Sequence, residues 1–392
     1  MPIPNPLNSY RQQFPGLSNK AYFNYGGQGP LPRQASQAIA RAYELLQELG
    51  PFSVKSYDWI EEQAQATRGA IAAELGVAPT EITLTEDVTV GCNIALWGRD
   101  WQPGEHVLLS DCEHPGIVAA VGELQRRYGI EVSRCPLQAT LNDGDPVDAV
   151  LRNLKPQTRF VVLSHILWNT GQVLPLGAIV AACRQVDPDI CILVDAAQSV
   201  GVLPLNLAEI GADFYAFTGH KWWCGPEGIG GLYVRPEARE TLHPTFIGWR
   251  GITKDATGNP TGWQPDGRRF EIATSAYPLY AGLQAAIALH HQWGTAEERY
   301  RQICRSSEIL RSKLAAISAV TCLKKSPPEA GLVSFTLADR SHLKLVKVLE
   351  TQGLFARTIL DPDCVRACVH YFTTEDEIDR LVEAIDRFCS KR

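Results

Sequence analysis

Lys221 closes the stretch Asp213-Phe-Tyr-Ala-Phe-Thr-Gly-His-Lys221, and Asp195 closes the apolar run that starts at Ile192. A lysine and a carboxylate thus each stand where a buried strand is expected to stop. An amine that condenses with an aldehyde, and an anion that keeps a pyridine nitrogen protonated, are the two groups that pyridoxal 5'-phosphate requires. The segment Thr85-Glu-Asp-Val-Thr-Val-Gly-Cys-Asn93 follows an expected strand and opens an expected helix. Its free backbone N–H groups and the Thr89 hydroxyl suit a phosphate, although a plain N-cap by Thr85 or Asp87 explains the same letters. His114 follows another strand end, where an imidazole can lie flat against a pyridine ring. Asn169 and Gln198 sit in comparable loops, and either amide can donate to the cofactor's phenolic oxygen or simply shape a turn.

Competing chemistries fit less well. Acidic strand ends also bind magnesium in phosphoryl transfer, but the chain has no G-x-x-x-x-G-K-[ST] loop, and no second carboxylate is expected nearby. The glycines Gly225, Gly228, Gly230 and Gly231 precede a strand and do not open a helix, so they are no dinucleotide fingerprint.

These residues need a sheet whose strands end together. From about 80 to 234, β-rich runs at 82–84, 106–109, 160–163, 191–194, 213–217 and 230–234 alternate with amphipathic stretches such as 115–128 and 176–185. That alternation predicts βα units and a mostly parallel sheet. Upstream, 34–49 and 57–75 read as two helices that cover the sheet, separated by Gly50-Pro51. A polar loop at 251–269 precedes a long helical region at 279–317. Strands at 332–335 and 365–369 then alternate with helices at 342–352 and 375–388, giving a compact α+β lobe. The division expected is a large domain over 20–285 and a small one over 286–392, with 1–19 packed against the small one.

At 392 residues the chain exceeds what one core usually serves, which agrees with two lobes. A net charge of -6 without long single-sign runs leaves no footprint for nucleic acid or an anionic membrane. Met1-Pro-Ile-Pro-Asn-Pro lacks a basic region followed by an apolar one, and no apolar stretch approaches bilayer length, so a cytoplasmic protein is expected. Eleven scattered cysteines contain no C-x-x-C pair, which argues against a zinc cage or a disulfide framework.

Together, Asp195-Ala-Ala-Gln198 and Gly219-His-Lys221 resemble the class V aminotransferase family, which includes the NifS-like cysteine desulfurases and related lyases. The resemblance runs from Tyr22-Phe-Asn-Tyr-Gly-Gly27 to the segment Arg366-Ala-Cys-Val-His-Tyr-Phe. It implies the type I fold of pyridoxal-phosphate enzymes, with Lys221 as the Schiff-base lysine and Asp195 on the ring nitrogen. It further implies Gln198 on the phenolic oxygen, His114 stacked on the ring, and Val88, Thr89, Thr218 and His220 around the phosphate. Arg366 would grip the substrate α-carboxylate with help from Asn169, Arg357 would be a second clamp at the end of the preceding strand, and no metal is required. Arg268-Arg-Phe-Glu-Ile-Ala-Thr274 resembles a segment whose threonine reaches the phosphate of the neighbouring subunit, so a homodimer is implied, with Ala273 where the family has glycine.

Desulfurases of this family carry a thiolate on a mobile loop between the two arginines. Here only Thr358 to Val365 separate Arg357 from Arg366, and Cys364 is the sole cysteine among them. Without a travelling thiolate, the cofactor chemistry available is removal of the α-proton and expulsion of a β-substituent. The expectation is therefore a C–S lyase acting on L-cystine or L-cysteine, yielding pyruvate, ammonia and persulfide or sulfide. The aromatics Tyr25, Trp168, Trp222, Trp223 and Trp249 are expected around a pocket wide enough for a disulfide, with Tyr25 touching substrate. The sulfur would serve iron–sulfur cluster assembly, with an iron–sulfur scaffold or a ferredoxin as acceptor. A desulfurase using Cys364 and a class V aminotransferase are the alternatives, and epimerase and kynureninase-like activities share the fold.

Overall fold

Apolar, β-branched runs become strands, and their order places the chemistry. In the computed structural model, which describes residues 6–390, a short β1 (Ala21–Tyr22) is followed by seven strands of one sheet. These are β2 (Ile82–Thr85), β3 (His106–Ser110), β4 (Glu131–Cys135), β5 (Thr158–Ser164), β6 (Cys191–Asp195), β7 (Phe214–Thr218) and β8 (Gly230–Val234). Their order is β2-β8-β7-β6-β5-β3-β4. Only β8 runs against its neighbours, so the other six strands point the same way. Thr85, Ser110, Ser164, Asp195 and Thr218 consequently end their strands along one edge, the edge at which open α/β sheets bind ligands.

Every residue of β2, β3, β7 and β8 is buried, the pattern of strands covered on both faces. β4 is the exception. It lies at the sheet edge with Glu131 and Arg134 exposed, and its lack of an apolar run hid it from the sequence reading. Helices Val88–Trp97, Pro115–Tyr128 and Leu176–Val186 pack on the sheet's two faces.

Two helices were expected to cover the sheet, and only one does so. Val54–Leu75 starts three residues before the expected Tyr57, because Ser53 and Ser56 form a reciprocal capping box, and its Ala64, Ile71, Ala72 and Leu75 enter the main core. Arg33–Leu49 contributes no residue to the apolar core clusters and packs instead against the helix Pro278–Trp293.

The polar loop at 251–269 contains a two-stranded hairpin, β9 (Ile252–Lys254) with β10 (Pro260–Trp263), whose second strand is wholly exposed. The helical region expected at 279–317 is two helices, Pro278–Trp293 and Ala296–Ala315. Thr295 caps the second by accepting from the Glu298 N–H, while Glu298 accepts from the Thr295 N–H at 2.9 Å. The expected boundary at 285 falls inside the first of these helices, and the chain turns at Gly294 and Thr295.

The C-terminal lobe holds β11 (Val320–Cys322), β12 (Leu332–Leu337), β13 (Leu354–Phe355), β14 (Arg357–Leu360) and β15 (Asp363–Cys368). An antiparallel sheet of order β11-β12-β15-β14 forms from four of them. β13 pairs with β1, and Ala21 and Phe23 pack into this lobe's core, so residues 21–23 join the small lobe although 20–285 was assigned to the large one.

Residues ahead of β1 reach the same side. Arg11 pairs with Glu377 at 2.5 Å, the Tyr10 hydroxyl meets that of Tyr371 at 2.6 Å, and Phe14 stacks on Phe372. Residues 1–5, on which the reading of the N-terminus partly rested, lie outside the described residues. Among the described residues no helix is long and apolar enough to cross a membrane.

Candidate active site

At the carboxyl edge of the sheet lies a cavity of about 530 Å³. Val88, Thr89, His114, Asp195, Gln198, His220, Lys221 and Arg357, all singled out in the sequence, line it. Lys221 arrives from the turn after β7, held by the hydrogen bond from the Gly29 N–H to the His220 carbonyl at 2.7 Å. Burial brings the Lys221 amine down to about 8, opposed by the charge of Asp195 and helped by those of Arg366 and Arg357. Asp195 is 6% exposed, and its Oδ1 accepts from the Ala197 N–H at 2.9 Å.

The helix Val88–Trp97 points its N-terminus into the cavity. Asp87 caps it by accepting from the Val90 N–H at 2.9 Å, so the N-cap reading is right, and the Val88 and Thr89 N–H groups remain for a ligand.

His114 is the N-cap of the helix Pro115–Tyr128 and sits edge-on to Trp168. Its Nδ1 accepts from the Gly116 N–H at 3.2 Å. Desolvation holds the ring below the ordinary histidine range. His220 is lowered by the same cause and by Lys221, and its Nδ1 pairs with the buried Thr218 hydroxyl at 2.7 Å. Gln198 is oriented from both ends: Trp222 Nε1 donates to its Oε1 at 2.9 Å, and its Nε2 donates to the Gly26 carbonyl at 2.9 Å.

Arg366 is fully buried just behind the wall, with Nη1 donating to the Trp168 carbonyl at 2.6 Å. Among the described residues, its Nε and the Oδ1 of Asn169 are buried without partners. Asn169 Nδ2 donates to the Asp361 carbonyl at 3.0 Å and so ties the large lobe to the β14–β15 turn. A side chain at Gly26 would stand 2.9 Å from both Arg366 Nη2 and Gln198 Oε1, so the space beside the guanidinium depends on glycine.

Several expectations change. Arg357 opens β14 and stands directly opposite Arg366 in the β14–β15 register; it does not end the preceding strand. Its side chain is exposed yet lines the cavity, and burial together with Arg366 lowers its affinity for its proton. Tyr25 was expected against substrate, but it is 1% exposed, stacked on Trp222 and packed against His370 and Phe372. An aromatic body gains more by burial in that interlobe core than at a wet wall. Trp222 and Trp223 are likewise core residues, and Trp249 packs on Tyr57 beside a different cavity, leaving Trp168 alone of the five at this one. Thr274 borders a separate cavity with Leu84, Thr85 and Glu86.

Cys364 is fully buried within β15, and burial pushes its thiol up to about 12. Ser164 and the glycines Gly26 and Gly27 line the cavity without having been selected as site residues from the sequence, and Asp87, read there only as a cap, lines it too. The strand-end rule that found Asp195 also reaches Ser164, its direct neighbour across β5 and β6.

A model of the family described as Aminotransferase class-V matches residues 21–381. Isopenicillin N epimerase of Streptomyces clavuligerus is 30% identical over 386 residues, with 93% of each chain covered. A cysteine desulfurase of Klebsiella pneumoniae is 29% identical, covering 84% of this chain and 81% of the relative. Among solved structures, the cystine C-S lyase C-DES in complex with its reaction product cysteine persulfide is 51% identical. It superposes with a TM-score of 0.94 over 95% of this chain and 99% of its own. A second C-DES structure has glycine covalently linked to its PLP cofactor. The mostly parallel sheet with its smaller α+β lobe is thus the type I fold expected, and by motif, length and architecture the chain belongs to the aminotransferase class-V family.

Proposed function

We propose that the chain is a pyridoxal-phosphate-dependent carbon–sulfur lyase. L-Cystine or L-cysteine would undergo β-elimination, giving pyruvate, ammonia and cysteine persulfide or sulfide. The β14–β15 hairpin carries the choice of reaction. A two-residue turn at Asp361 and Pro362 joins its strands, and the one cysteine between the arginines is buried in the ladder with a raised thiol. A thiolate that must travel to substrate sulfur has no place there. The likeness to C-DES, named a cystine C-S lyase, supports the same reading.

The residues fit the cofactor. An anion-binding helix end, a strand-end carboxylate and a lysine of lowered proton affinity surround one cavity, and the buried Arg366 Nε and Asn169 Oδ1 lack partners among the described residues at its back. Bound pyridoxal phosphate supplies a sink for the electrons left when an α-proton is removed. Val88 and Thr89 would hold the phosphate, with Thr218 and His220 beside them. Asp195 would keep a proton on the ring nitrogen, Gln198 would donate to the phenolic oxygen, and His114 would cover the ring face.

Arg366, a planar fork already backed by Trp168, would take the substrate α-carboxylate, with Arg357 reaching in from the opposite strand. Burial lowers the affinity of the Lys221 amine for a proton, which suits it, once free, to remove the α-proton. The finer expectations travel with this reading: a cytoplasmic homodimer in which Thr274 reaches the neighbouring subunit's phosphate, and delivery of the sulfur to an iron–sulfur scaffold or a ferredoxin.

Cys364→Ala tests the reaction assignment. The lyase keeps its rate of pyruvate formation within about twofold, since only a buried filler changes. A desulfurase acting through Cys364 loses all turnover.

A further inference from the structure

None of the steps above uses a carboxyl group that lies directly behind the cavity wall. Glu113 is 6% exposed and is held by three donors. Ser110 Oγ donates to its Oε1, the Ser164 N–H donates to the same oxygen at 3.0 Å, and Ser164 Oγ donates to Oε2 at 2.8 Å. Ser110 Oγ in turn accepts from the Cys112 N–H at 3.1 Å, so the turn from β3 to His114 is wound around this one side chain. Among the described residues no lysine, arginine or histidine forms an ion pair with it.

The ionisable groups around Glu113 are Asp195 on β6, Cys92 on the helix Val88–Trp97, Cys135 on β4, and Asp111, Cys112 and His114 on its own turn. All are acidic or neutral there. An isolated buried carboxylate is costly, and three donors offset that cost without removing its charge. Ser164, which Glu113 grips through two atoms, lies opposite Asp195 in the β5–β6 register and lines the cavity.

We propose that Glu113 is a positioning residue for both ends of the ring site. It locks the turn that presents His114, and it adds a second negative charge beside Asp195 that strengthens Asp195's hold on a protonated ring nitrogen. The inference rests on the pyridoxal-phosphate reading of the cavity. Burial, with the charge of Asp195, pushes Glu113 up to about 7 against the pull of its donors, so its negative charge develops from neutrality upward.

Glu113→Gln separates charge from shape. The amide oxygen still accepts from Ser110 and from the Ser164 N–H, and the NH2 group donates to Ser164 Oγ. The readout is the NMR shift of the ring nitrogen in holoenzyme loaded with pyridoxal phosphate isotopically labelled at that atom, followed against pH. The ring nitrogen of E113Q should lose its proton about half a pH unit or more below that of the wild type. E113Q should also lose kcat severalfold with KM nearly unchanged.

Glu113→Asp keeps the charge on a shorter arm. Its titration should follow the wild type while its kcat falls, and this variant carries the test if E113Q does not fold. Titration curves of E113Q and wild type that coincide overturn the role of Glu113, as does an E113D variant indistinguishable from wild type in kcat. Wild-type protein that takes up no labelled cofactor overturns the reading of the cavity, and this inference with it.

Discussion

Lys221 and Asp195 were legible because each ends an apolar run with a residue that no buried strand keeps without a reason. Arg366 was legible only by likeness, since the sequence does not say that its guanidinium lies fully buried behind Gly26. The same reading misplaced Tyr25, because apolar side chains at a cavity and in the core between lobes have identical composition.

Two consequences belong to this scale. Lys221 acts as a base only when neutral, and its affinity for a proton is lowered to about 8, so kcat should rise with pH through about 8 and level off above it. A pH profile of pyruvate formation checks this, and a flat profile from pH 6 to about 9 would assign the α-proton to another group. Asp195→Asn leaves the Ala197 contact an acceptor but removes the anion. Its kcat should fall about a hundredfold or more while the protein still folds, as steady-state kinetics and circular dichroism together would show.

At the scale of elements, the eight strands with apolar runs, six in the large sheet together with β12 and β15, were readable and the others were not. β4 is an exposed edge strand with charged residues, and β11 and β14 are the short edge strands of their sheet, whose pairing depends on β12 and β15. The helix break at Gly294 escaped notice because the apolar spacing continues across it, although the Thr295 and Glu298 pair is a capping box written in the sequence.

That box yields a prediction. Thr295→Ala should lower unfolding free energy by about 1 kcal/mol in denaturant titration and leave the rate of pyruvate formation unchanged, because neither Thr295 nor Glu298 lines the cavity. Asn169→Ala, by contrast, frees the β14–β15 turn at Asp361 and the wall that holds Arg366. Its KM should rise about tenfold, the loss of roughly one hydrogen bond, with kcat less affected.

For the whole molecule, the two-lobe plan followed from length and from the switch of pattern after 234, but the dividing line did not. The segment ahead of β1 meets the small lobe through Arg11 and Phe14, as expected for 1–19, but the extension through β1 to Phe23 is a long-range pairing that no local periodicity announces. The cavity inherits this arrangement: its floor comes from the sheet edge, while Arg357 and Asp361 come from the small lobe. A homodimer should sediment at twice the mass of one chain. Thr274→Ala should keep that mass while loosening cofactor retention by roughly tenfold, the effect of one hydrogen bond to a charged phosphate.

The most direct measurement is the product of the reaction itself. Purified holoenzyme given L-cystine should release pyruvate and ammonia in equal amounts, with free cysteine persulfide in solution and no sulfur bound to the chain. Alanine as the product, together with a persulfide on Cys364, would contradict the account.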